Sequence, residues 1–529
     1  MLKRNSRFIL ALAALAVAWV ASPAVVSSTE EIARKSIASI EGTTLRIAAR
    51  ENESPNVSAE WAYDVHRAYI LGNVYERLLD RHPETNELIG VLATSWEPTD
   101  DVTWRFTLRE GVTFHDGSDW NAEAAAVSLA HILRDESVLH GISGRKSPPE
   151  LVVVDNFVID VVLPAPDPLL PAKMASASIP SAKQILEDPD SYTTTPIGTG
   201  PYKITDYNPT THYNLERNEA WWGIDNPDAI GAQHWEKVVF GIRPEATARA
   251  AALAAGEVDM AIDVGEEGCK VLGDLCRVTS SPTFIEMRYD VPSTILGDVR
   301  VREALELGYD RYAIAEHLFG GAQLTSQPVR PGAAGYREDL PPYPYDPERA
   351  KQLIEEAKAD GVVFDAPIRL VTLTERMPRN VEFVESIGSY WETNLGIDVD
   401  VQILERALWD QVYNTNIDTT PPGRHMIAVL TGGDFGFFDL EGYVPLRHPC
   451  GSIEGNACDP AFDEMYNAAR QLVGTEREEA MAEVAYDMYH KIWWTQTLYL
   501  PAYHAVADHI DFIPRGDSYV RVVELKPRS

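Results

Sequence analysis

PIRLVTLTERMPRNVEFVESIGSYWETNLGIDVDVQIL, residues 367–404, carries the reading of the fold. PIRLVTLT is a short apolar run bounded by a proline and a polar turn, which reads as a strand. In the stretch that follows, Phe383, Ile387, Tyr390, Trp391 and Leu395 recur at helical spacing on one stripe, and Gly396 closes it. IDVDVQIL is the next strand. A strand, a helix and a second strand make a unit that crosses over right-handed to a parallel neighbour.

The same alternation extends outward. YDPERAKQLIEEAKADG offers Asp346 as N-cap, Pro347 at the first helical position and Gly361 just past the end, with Ala350, Leu353, Ile354 and Ala357 facing inward. DVRVREALELGYD starts at a capping Asp298 and turns Val301, Ala304, Leu305 and Tyr309 to one side. Downstream, MIAVL (426–430) is a short strand running into TGGDFGFFD. Nearer the N-terminus, TLRIAAR (44–50) and TWRFTL (103–108) read as strands and Trp61–Leu79 as helical. Ala126, Leu129, Ala130 and Leu133 mark a helical face, and 151–168 forms two strands joined by a turn. His115-Asp116-Gly117 is turn punctuation, not a catalytic pair. The Gly-rich IGTGPYKI (197–204) lacks the Lys-Ser/Thr and the helix that a phosphate loop needs.

With 529 residues the chain exceeds what one core serves, so two or more domains are expected. A net charge of −34 excludes nucleic acid as a partner, because phosphates would be repelled. Residues 1–28 read as a secretory signal: Lys3, Arg4 and Arg7 precede the apolar run Phe8–Val20, too short to span a bilayer. No cysteine lies near the cleavage region, so no lipid anchor is expected, and the mature chain is expected in the periplasm. Four cysteines fall in two close pairs, favouring Cys269–Cys276 and Cys450–Cys458, with the two other pairings open. No zinc-like spacing is present, so neither a metal nor a cofactor is expected.

In an open α/β sheet, ligands sit beyond the carboxyl ends of the strands. Two loops qualify. One carries Gly433, Asp434 and Phe435; the other carries Arg376 and Arg379. A carboxylate on one and a guanidinium on the other suit a solute with a positive and a negative end.

LIGVLATSWEPTDDVTWRFTLREGVTFHDGSDWNAEAAAVSL (88–129), PIGTGPYKI, LERNEAWWG, AALAAGEVDM, DVRVREALELGYDR, DPERAKQLIEEA and the final LYLPAYH resemble, in family order, the family 5 solute-binding proteins of bacterial ABC importers. Ala125-Ala126 stands where that family commonly has Asp-Val. The resemblance implies a bilobed α/β fold of the periplasmic-binding-protein type (type II, Venus flytrap), with an extra subdomain inserted in the larger lobe. Its implied divisions are 44–285 for the first lobe (insert about 80–190), 286–498 for the second and 499–529 returning to the first. The strands crossing between lobes are placed near Thr283–Tyr289 and Thr497–Tyr503. The implied function is a monomeric, non-enzymatic receptor that captures a peptide-like solute and delivers it to an ABC permease. Asp434 matches the aspartate that holds a peptide's ammonium, although Phe438-Asp439-Leu440 replaces the usual Asp-Pro. Arg376 resembles the carboxylate-binding residue, and ENESPN (51–56), with Asn52 and Glu53, is expected as the facing wall.

Within that resemblance a sugar oligomer, an opine or a nickel chelate stays open, with Phe435, Phe437 and Phe438 or His425 and His448 as the groups concerned. Trp391 and Trp409 are aromatic candidates for the pocket, but both sit on helix-like stretches, which favours the core. A secreted hydrolase with paired carboxylates is the alternative of another class; no catalytic spacing supports it.

Overall fold

A computed structural model describes residues 44–50, 56–59, 65–134, 147–374, 376–413, 420–433, 438–452, 454–455 and 457–528. The expected signal segment therefore lies outside the described residues. One ten-stranded sheet organises the chain, in the order 399–404, 368–373, 426–433, 276–289, 494–506, 260–261, 44–49, 237–242, 212–217, 202–208.

The strand–helix–strand unit forms as its pattern dictates. Ile368–Leu373 pairs parallel with Val399–Leu404 across the helix Asn380–Leu395, whose Phe383, Ile387, Trp391 and Leu395 are buried. The helix Pro347–Ala359 begins at Asp346, whose side chain accepts from the Arg349 N–H, and it buries the four expected residues. Asp298 caps Val299–Leu307 in the same way. Together these helices and strands bury one apolar cluster that includes Met287, Leu305, Leu370 and Val429.

A second cluster, including Ile47, Tyr75, Trp235, Phe240 and Val522, fills the other half of the sheet. There Thr44–Ala49 runs parallel to Lys237–Ile242 and Met260–Ala261. A separate antiparallel sheet, ordered 93–98, 103–108, 158–162, 150–155, carries its own core around Phe106, Trp120 and Leu129.

Two expectations are corrected. The helix expected over Trp61–Leu79 is described only as Val65–Leu71, and Leu79 opens the strand Leu79–Arg81. Gly72 ends the helix: a Cβ there would lie 2.5 Å from the Ala68 carbonyl oxygen. The helix Ala122–Ile132 is present, but its buried face is Ala122, Ala125, Ser128, Leu129 and Ile132; Ala130 is exposed and Ala126 half-buried. The run of alanines offered no contrast to fix that face. Both local disulfides, Cys269–Cys276 and Cys450–Cys458, are formed.

Two motifs from the sequence become structural supports. Asp116 accepts from the Ser118 N–H and from Ser181 Oγ, so it holds a turn. Trp221 and Trp222 donate their indole N–H groups to buried Glu76, joined by Thr199 Oγ1. Burial still pushes that carboxyl up to about 7 against these three donors.

Candidate functional site: a cleft across two broken strands

Among the described residues, two strands of the main sheet, Cys276–Tyr289 and Trp494–Val506, join its halves. They pair antiparallel from Cys276–Ala505 to Arg288–Trp494, but the register breaks between Ser280 and Phe284 and again between Phe284 and Glu286. The break has chemical causes. Pro282 and Pro501 have no N–H to give. The Tyr499 N–H donates instead to the Gln323 carbonyl at 2.8 Å, and the Thr497 carbonyl accepts from the Thr325 N–H. The halves are thus joined by backbone with few ladder bonds to lose on bending.

Over this break lies a cleft with two cavities of about 590 and 360 Å³. Arg376, Thr283 and Thr431 line both. The larger cavity is faced from one half by Tyr69, Arg249 and Asp263, from the other by Phe319 and Met377, and floored by Pro501 and Tyr503. Arg249 is itself a support. Its guanidinium donates to the carbonyls of Arg243, Pro244, Ile262 and Asp263, fixing the corner where Asp263 and Gly265 adopt φ of +53° and +70°.

The smaller cavity holds Arg77, Arg81, Arg376 and Arg447 beside Asp80, Glu454 and Asp517. Arg447 is buried and donates to Glu286 of the first crossing strand at 3.1 Å, while its guanidinium lies 4.4 Å from the Tyr443 ring centre. Burial raises the Glu286 pKa; Arg447 and the Tyr443 hydroxyl act against it. Gly432 packs on this carboxylate, and a Cβ there would sit 2.5 Å from Glu286 Oε1.

Of the six residues singled out from sequence, the structure brings two together. Gly433 pairs in register with Thr283 and lines the smaller cavity. Arg376 is exposed; among the described residues its guanidinium meets one carbonyl, Thr431 O at 3.2 Å, and no carboxylate. Asn52, Glu53, Asp434 and Phe435 lie outside the described residues. Asp439 is not a free acid: it accepts two bonds from Arg477, at 2.8 and 3.1 Å. Trp391 donates to the Leu305 carbonyl and Trp409 stacks on Tyr413, both buried away from the cleft. His425 bonds to Ser293, and His448 sits among aromatics. Among the described residues no group of three or more His, Cys, Asp or Glu is arranged to hold a metal, and no helix is long and apolar enough to cross a membrane.

Sequence reasoning missed Arg249, Phe319 and Arg447. Only the prolines of the crossing strands left a signal, because a proline in a central strand marks a broken ladder.

A cleft between two α/β halves, joined by two strands whose pairing fails at the junction, defines a bilobed solute-binding protein. The chain belongs to the bacterial extracellular solute-binding proteins, family 5, whose profile matches residues 87–435. It is 28% identical over 493 residues to heme-binding protein A of Haemophilus influenzae, covering 85% of this chain and 84% of that one. It is 28% identical over 447 residues to the dipeptide-binding protein of Escherichia coli K12, covering 75% and 78%. Among solved structures, the substrate-binding protein CtaP of Listeria monocytogenes superposes with a TM-score of 0.78 at 18% identity, covering 92% and 99%. DppA of Helicobacter pylori in complex with the peptide STSA gives 0.73 at 20%, covering 94% and 100%.

Proposed function

We propose that the protein is the periplasmic receptor of an ABC importer, which captures a peptide or peptide-like solute by lobe closure and hands it intact to a membrane permease. Relatives named for dipeptides and a structural neighbour holding a tetrapeptide support that solute class. One observation carries the reading: Arg376 stands exposed in the cleft with no carboxylate partner among the described residues, beside the strand end that leads into Asp434. A cation beside a carboxylate-bearing loop suits a solute with both termini charged.

We assign 44–285 and 499–529 to the first lobe, with an insert of about 80–190, and 286–498 to the second. Residues 1–28 direct export and are removed. The solute stabilises the closed form because it touches both lobes at once. The test is calorimetry with a panel of di- to pentapeptides, followed by mass spectrometry of the bound peptide. One-to-one binding and an unaltered mass are expected. Cleavage of the peptide would convert the reading to the hydrolase, and failure of every peptide to bind would end it.

A further inference from the structure

Residues 438–441 follow the sequence positions 434–437 directly, and they are held from both lobes. The second lobe holds them through Arg477 on Asp439, through Arg470 and Arg477 on Glu441 at 2.8 Å each, and through the Ala334 carbonyl on the Leu440 N–H. The first lobe reaches across to two of the same residues, Glu441 and Phe438. Lys173 Nζ donates to Glu441 Oε1 at 3.0 Å and to Asp167 Oδ2 at 3.0 Å. The Arg81 guanidinium lies 4.3 Å from the Phe438 ring centre, and Arg330 lies 4.4 Å from the same ring. Lys173, Asp167 and Glu441 are all buried. Neither Lys173, Phe438 nor Glu441 lines either cavity.

Resting on the reading that two lobes close around a solute, we propose that Lys173 and Arg81 are positioning residues for the segment Phe438–Glu441. They grip Phe438–Glu441 only when the lobes are together, so this segment is held from both sides in the closed form alone. The charges allow this contact to be made and broken. Among the described residues, the first-lobe part is one ammonium and one carboxylate, Lys173 with Asp167. The second-lobe part is two guanidiniums and two carboxylates, Arg470 and Arg477 with Asp439 and Glu441. Each part is neutral by itself, so separation strands no unpaired charge in either lobe. The ring of Phe438 works similarly: Arg330 remains on it when Arg81 withdraws.

The test needs no solute. All four cysteines are in disulfides, so single-molecule fluorescence labels can be placed at L186C and V363C, on exposed positions of the two lobes. The ligand-free protein is expected to visit a closed, high-transfer state. D167N/K173Q, which removes the first-lobe pair as a neutral unit, and F438A should each reduce its occupancy at least five-fold. Phe438→Tyr, which keeps a ring for both guanidiniums, should retain it. A merely structural role would lower the melting temperatures and leave the occupancy of folded molecules unchanged. Equal occupancy in the wild type and D167N/K173Q, including none in either, overturns the proposal. Peptide binding by the wild type is a separate measurement: its absence sinks the importer reading, whereas intact binding with unchanged occupancy sinks only the positioning role.

Discussion

Replacing His448 with phenylalanine should make the protein less sensitive to acid. The His448 ring is fully buried against Tyr443, Phe462 and Trp493, with centroids 5.7, 5.7 and 6.2 Å away. Among the described residues neither ring nitrogen has a hydrogen-bond partner. Burial first, and the neighbouring Arg447 second, push its pKa down from 6.5 to about 3. The sign follows from proton binding. Between pH 6.5 and 3 the unfolded chain carries a proton here and the native chain does not, so stability falls as pH falls. At pH 5 the unfolded side chain is 1.5 pH units below its own pKa, and each unit is about 1.4 kcal/mol, giving a loss of about 2 kcal/mol relative to pH 8. H448F removes that loss while keeping a ring in the aromatic site. Urea denaturation followed by tryptophan fluorescence at pH 8 and pH 5 gives the wild-type and variant free energies, and their difference isolates this residue from other titrating groups. Parallel curves for the two proteins would refute the reasoning. The experiment also bears on nickel: a ligating histidine would let Ni²⁺ raise wild-type stability by mass action, and no such shift is expected.

Gly432→Ala places a methyl group against Glu286, which is itself held by Arg447 and Tyr443 and has nowhere to move; a loss of about 1–3 kcal/mol in unfolding free energy is expected, and an unchanged value would show that the cleft floor is soft. Arg376→Gln should leave stability within about 0.5 kcal/mol, because the side chain is exposed and meets only one carbonyl. In calorimetry it should weaken a peptide with a free C-terminus by about 2 kcal/mol or more and leave the C-terminal amide untouched. Asp434→Ala should cost a free-amine peptide about 2–5 kcal/mol and an N-acetylated one almost nothing; equal losses would remove Asp434 from ammonium recognition.

The second lobe was largely legible in the sequence because its helices carry every local signal at once. Asp346, Pro347 and Gly361 set the ends of one helix, and four apolar residues set its face without ambiguity. Where those signals thin out, the reading slips. Ala122–Ile132 is alanine-rich, so hydrophobicity could not distinguish Ala125 from Ala126, and tertiary packing decided. Val65–Leu71 is cut short by Gly72, whose role depends on a close backbone approach that the sequence does not print. The cleft divides likewise. Arg376 and Gly433 follow strands and could be located by topology. Arg249 and Arg447 act on groups distant in sequence, Ile262 and Glu286, and became visible only once the sheet was assembled.

The contact between Lys173 and Glu441 also decides how costly opening is, and that can be tested by a difference in rank. Opening the intact protein exchanges at least two charge-assisted hydrogen bonds, Lys173 to Glu441 and Arg330 to the Gly516 carbonyl, and the Arg81–Phe438 contact for water, about 3–6 kcal/mol in all. A small solute touching both lobes can tip a balance of that size, as a population shift requires. Lys173→Met changes the sum. Asp167 and Glu441 touch the same nitrogen at 3.0 Å each, so they lie within about 6 Å of each other. Without the ammonium, closure brings two carboxylates together in a buried site. K173M should therefore oppose closure more strongly than D167N/K173Q, although it alters fewer residues. The same fluorescence pair at positions 186 and 363 gives the order directly. If the double variant closes less often than K173M, the carboxylates are not held together by the lysine, and the neutrality of each half is not what lets the lobes part.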